Sequence, residues 1–150
     1  IPPPARETGG HMSYDIYLTD PVTREPIELE EAHYMRGGTY ALSGTTEAWL
    51  NITYNYANWY YGPGVFGETA DNKGIRTIYG LSGAESIPVL QNAIKTLESI
   101  TEDISDEERR EYERQGATGY WIPTRANAIR PLYQLLALAQ MRPDGIWEGD

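Results

Sequence analysis

TEAWLNITYNYANWYY, residues 46–61, is the stretch on which the fold turns. Glu47, Asn51, Asn55 and Asn58 recur in it at intervals of four, four and three residues, which places them on one face of an α-helix. Leu50–Tyr56 also alternates apolar and polar residues as a half-buried strand would. Two flanking signals favour the helix. Ser43, Thr45 and Thr46 offer N-cap hydroxyls, and Gly62-Pro63 is a helix stop. The expectation is a helix over 46–61 carrying a row of amides among Tyr54, Tyr56, Trp59 and their neighbours. Side-chain amides are costly to bury unless paired, so such a row predicts a polar network or a recognition surface.

Outward from this stretch, Tyr14–Leu18 and Pro26–Glu30 alternate in period two about a Thr19-Asp20-Pro21 turn and read as a hairpin with one wet face. Thr39–Leu42, after Gly37-Gly38, reads as a third strand, and Ile75–Tyr79 as a helical turn or brief strand. Ile87, Leu90, Ala93, Ile94 and Leu97 form the apolar face of a helix that Pro88, suited to a first turn, starts near Ser86. Ser105-Asp106-Glu107-Glu108 has capping-box spacing and opens a short, almost wholly charged helix. Thr124 caps a last helix whose Ala128, Leu132, Leu135, Leu136 and Ala139 face the core. Pro131 is expected to kink it, at about 3 kcal/mol if uncompensated. Ile146 and Trp147 should fold back onto the domain and leave Glu148-Gly149-Asp150 loose. The class is α+β: a small antiparallel sheet, made of the N-terminal hairpin plus one strand, covered by three to four helices.

Residues 1–12, IPPPARETGGHM, look like a cloning leader, and residues 13–150 are expected to form a single domain. Cysteine is absent, which excludes disulfides, thiolate zinc sites and cysteine nucleophiles. Beyond the leader His33 is the one histidine, so no His-pair metal site can form within the chain and no metal or other cofactor is expected. No apolar run is long enough to cross a bilayer and no secretion signal is recognisable, so a cytoplasmic protein without membrane contact is expected. The net charge of −10 argues against direct nucleic-acid binding, whose affinity comes from Lys and Arg on phosphates, and points to basic proteins or simply to solubility.

Chemistry-bearing residues are sparse. His33 and Arg36 lie close together and could act as a general base and an anion clamp, with Glu47 and Asn51 completing a small-molecule or hydrolytic site. Arg36-Gly37-Gly38 and Ser82-Gly83-Ala84-Glu85 are weak phosphate-loop candidates lacking the full motif. Asp106, Glu107, Glu108 and Glu111 form an acidic patch that reads either as a solvated helix or as an imitation of duplex phosphates.

YDIYLTDPVT (14–23), RGGTY (36–40), NITYNY (51–56) and the ending LLALA (135–139) through MRPDG (141–145) together resemble a family of small uncharacterised proteins found in phage and prophage regions. The resemblance spans nearly the whole chain from Met12, with an apparent insertion at 57–72, and implies no activity and no catalytic residues. The leading expectation is a non-enzymatic accessory protein that binds a protein partner or self-associates through the aromatic, Asn-rich helix. The alternatives are an acidic inhibitor of a basic host defence protein and the small-molecule site around His33, Arg36, Glu47 and Asn51.

Overall fold

The computed structural model describes residues 13–35, 44–68 and 71–150. They form an α+β fold with β1 Ser13–Thr19, β2 Glu28–His33, β3 Thr45–Glu47, β4 Trp49–Thr53, α1 Ala57–Tyr60, α2 Gly83–Glu98, α3 Asp106–Arg114, α4 Arg125–Met141 and β5 Ile146–Gly149. The cloning-leader reading and the strand expected at Thr39–Leu42 lie outside the described residues.

β1 is the centre of an antiparallel sheet of order β4-β1-β5, while β2 and β3 form a separate ribbon. Tyr14, Ile16 and Leu18 of β1 and Leu50 and Ile52 of β4 are buried against the helices, as period-two alternation demands. The expected N-terminal hairpin exists only at its root. Asp20 Oδ1 accepts from the Val22 and Thr23 amides to fix the turn, and Thr19 bridges Pro26. At Ile27 the pairing changes hands: its N–H donates to Leu18, its carbonyl accepts from Ala48, and Ala48 in turn accepts from the Leu18 N–H. Beyond that joint β2 pairs with β3 instead of β1.

The helix expected over 46–61 is instead β3, β4, a 3-10 turn at Tyr54–Tyr56 and the four-residue α1. The alternation of Leu50 and Ile52 with Asn51 and Thr53 decided the matter, because the inward pair completes the core beside β1. Gly62-Pro63 does follow a helix, but the helical cap is Thr53, whose side chain accepts from the Asn55 N–H, and not Thr45 or Thr46.

The two long helices, α2 and α4, pack against each other over the sheet. α2 starts at Gly83, earlier than Pro88 suggested, because Ser82 and Glu85 make a reciprocal capping box. α4 passes through Pro131, which is buried at its core face, without ending. Segment Gly74–Ile78 is a 3-10 turn. The chain end is not loose: β5 pairs with β1, Glu148 binds Arg24 at 2.6 Å, and Asp150 Oδ1 accepts from the Asp15 N–H at 2.9 Å. Trp147 is fully buried and its indole N–H donates to Ser86 Oγ at 2.7 Å. Among the described residues no helix is long and apolar enough to cross a membrane.

The first amides of α2 are satisfied by the turn after α4. Gly83 N–H donates to the Gly145 carbonyl at 2.7 Å and Ala84 N–H to Pro143 at 3.0 Å, so the weak phosphate-loop reading at 82–85 fails. A Cβ on Gly83 would stand 2.6 Å from the Arg142 carbonyl oxygen. Gly83→Ala must therefore separate these backbones, and urea unfolding should show a loss of about 1–3 kcal/mol.

Candidate functional site

Four side chains of the 54–60 segment donate to carbonyls of one other stretch of chain. Asn55 Nδ2 reaches Trp121 at 2.8 Å, Tyr56 hydroxyl reaches Tyr120, Trp59 indole N–H reaches Pro123 at 2.8 Å, and Tyr60 hydroxyl reaches Ala128 at 2.7 Å. Each net contribution is of order 1 kcal/mol, but together they fasten the loop before α4 and the start of that helix. The aromatic surplus is therefore largely a clasp. Tyr54 lies apart from it, edge-on to Tyr14 with centroids 4.6 Å apart, and its hydroxyl oxygen accepts from Arg76 at 3.1 Å.

The amide row dissolves with the helix that was to carry it. Asn51 lies on the face of β4 opposite the helices, directly across from Asp15, and its Nδ2 donates to Asp15 Oδ1 at 2.8 Å and Ser13 Oγ at 2.9 Å. Trp49 donates to the same Asp15 oxygen at 3.2 Å. Asn51 is 3% exposed and thus a cross-strand tie of the sheet. Glu47 projects from the β2–β3 ribbon, and its carbonyl accepts from His33 Nε2 at 2.8 Å. The other ring nitrogen of His33 accepts from the Met35 N–H at 3.3 Å. Both nitrogens thus hold backbone. His33 and Glu47 are neighbours, Asn51 belongs to the other sheet, and Arg36 lies outside the described residues. Of the three described residues, only His33 and Glu47 are brought together.

The structure does join two features that are far apart in the chain. Asn55, Asn58 and Trp59 line one wall of a groove of about 250 Å³, and Asp103, Ile104, Glu108 and Tyr112 line the other, with Pro123 between. Asp103 Oδ1 accepts from the Ile104 and Arg125 amides, at 2.8 and 2.9 Å. Glu108 Oε1 serves the capping box of α3 by accepting from Ser105. The second oxygen of each carboxylate takes no hydrogen bond from a described residue. Asp103, Ile104, Tyr112 and Pro123 carried no local signal, because only tertiary packing brings them to Trp59.

The acidic helix has no fully buried residue, and its carboxylates are exposed while Tyr112 is half-buried against the groove. Asp106, Glu107 and Glu108 occupy its first turn, where the helix dipole favours negative charge. Glu111 bonds Arg114 and Gln115, and the Arg114 bond holds its carboxyl below the usual range. Among the described residues no group of three or more His, Cys, Asp or Glu could hold a metal ion.

Burial pushes the Tyr14 hydroxyl up to about 12, against a partial offset from Arg76, and burial likewise raises Tyr56, Tyr60 and Tyr79. The unfolded chain ionises near 10, so above that pH it has released protons that the folded chain retains. Stability should be fully present below pH 10 and fall as pH rises through the folded values. An alkaline titration should show the tyrosinate absorbance of these four residues appearing together with loss of circular dichroism. Tyrosinate absorbance from all four residues before unfolding would contradict the burial.

No protein-family model, curated protein or solved structure matches the chain.

Proposed function

We propose that the protein is a non-enzymatic accessory protein that binds a basic protein partner, with a Lys or Arg side chain entering the groove between α1 and α3. The observation that carries this reading is the composition of that groove. Trp59, Ile104 and Pro123 offer apolar surface to an aliphatic stem, and Asp103 and Glu108 each keep one carboxylate oxygen for the cationic head. A volume of about 250 Å³ suits one long side chain and not a folded element. The net charge of −10 would steer a basic partner toward it. The aromatic segment keeps its place in this reading, though Asn55 and Trp59 contribute as a wall and not as a helical face.

A second reading is favoured by the exposure of α3. Asp106, Glu107, Glu108 and Glu111 are all exposed on a helix with no fully buried residue, as an imitation of nucleic-acid phosphates would require. Such an acidic inhibitor of a basic defence protein fits the phage-type resemblance and depends on charge alone, whereas the groove depends also on Trp59.

An arginine-rich peptide titrated into the labelled protein should shift the Asn58 and Trp59 side-chain resonances. Asp103→Asn with Glu108→Gln preserves the Oδ1 and capping-box acceptors, so the fold should stand while affinity falls about tenfold or more. Trp59→Phe should weaken binding further if the groove is used. If the isosteric pair and Trp59→Phe leave affinity unchanged while Glu107→Lys, Glu108→Lys and Glu111→Lys together abolish it, the second reading replaces the first.

A further inference from the structure

The β2–β3 ribbon carries a second surface, independent of the groove at Trp59. β2 pairs with β3 only at its ends, Glu28 with Glu47 and His33 with Thr45, and the register slips between them. The strand advances from 28 to 33 while its partner moves only from 47 to 45, so Leu29–Ala32 run past β3 out of register. Outside that ladder, no backbone group of 28–33 hydrogen-bonds to another described residue.

Beside this strand runs a groove of about 510 Å³, lined among the described residues by all six residues Glu28–His33 and by Met141 and Arg142. Lining by six consecutive residues shows that the groove runs the length of β2. Met141, at the end of α4, is 51% exposed there and gives the groove an apolar wall. Arg142 is held by Asp144 at 2.8 and 2.9 Å, so its charge is already matched.

We infer that β2 is a docking edge that receives an extended, basic segment of a partner protein as an added strand. Backbone amides would supply the ladder, and Glu28, Glu30 and Glu31, all exposed and all lining the groove, would select Lys or Arg on the incoming strand. Apolar residues at the intervening positions would lie toward Leu29, which is half-buried, and Met141. Edge glutamates ordinarily guard a strand against unwanted pairing. Here they also choose the partner, since a second copy of β2 would set glutamate against glutamate while a basic strand would not.

The test uses a blocked peptide of alternating lysine and valine and the intact protein. Docking predicts slowed amide exchange within 29–32 and resonance shifts at Met141, with α3 and Trp59 unmoved. A version methylated at alternate backbone nitrogens keeps every charge but cannot build the ladder, and it should bind about tenfold more weakly. Glu30→Lys should lose the lysine peptide and gain affinity for a glutamate–valine peptide, a gain that a misfolded ribbon could not produce. Equal binding of the methylated peptide, or shifts confined to α3 and Trp59, would overturn the docking edge. The second of these results would leave the groove at Trp59 standing, and failure at Trp59 alone would leave the edge standing.

Discussion

The pairing of β1 with strands on both its sides is the constraint from which the rest of the architecture follows. Tyr14, Ile16 and Leu18 can be buried only when β4 and β5 flank them and α2 and α4 cover them. β5 is itself held twice over. Its Trp147 indole is bonded to Ser86 inside α2, while the Gly80 and Leu81 backbones pair with Trp147 on the edge away from β1. A buried indole N–H without a partner would be costly, so Ser86, a hydroxyl at a core position, is explained by the tryptophan it serves.

The tyrosine-rich composition answers a related need. A loop of about ten residues before α4 must be laid against the core, and its backbone carbonyls need donors where water is excluded. Tyr56 and Trp59 combine large apolar area with a polar tip, which lets them pack on the core and cap those carbonyls at once, and Tyr60 does the same for Ala128 in the first turn of α4. Their tips being engaged inward leaves Asn58 and the wall of Trp59 as what this segment offers to solvent. The proposed groove is thus a by-product of fastening the loop, put to use by the acids at 103 and 108.

Much of the fold was legible where one physical rule governed a segment alone. Leu90, Ala93, Ile94 and Leu97 face the core as their spacing requires, and Ser105 and Glu108 cap α3 reciprocally. Legibility failed where two rules competed. Over 46–61 the four-residue polar spacing and the two-residue apolar alternation are both present, and the alternation prevailed because burying Leu50 and Ile52 outweighs any local capping preference. At Pro88 the reciprocal Ser82–Glu85 cap and the backbone acceptors at Pro143 and Gly145 lengthened the helix beyond what proline alone suggested. The groove residues could not be read at all, since Asp103 and Trp59 meet through a loop that neither sequence neighbourhood announces.

The joining of β1 to β5 also governs how the chain reaches its native state. Asp15 and Asp150 are 135 residues apart in sequence and hydrogen-bonded in space, so the central strand pairs across almost the longest contour the described chain contains. Contacts of such high order are entropically expensive to close and slow the search, whereas the α2–α4 pair can form early as a local hairpin of helices. Until the far segment arrives, the open flank of β1 is a ribbon of Tyr and Ile exposed to intermolecular pairing. During synthesis such an unpaired edge invites aggregation until β5 docks.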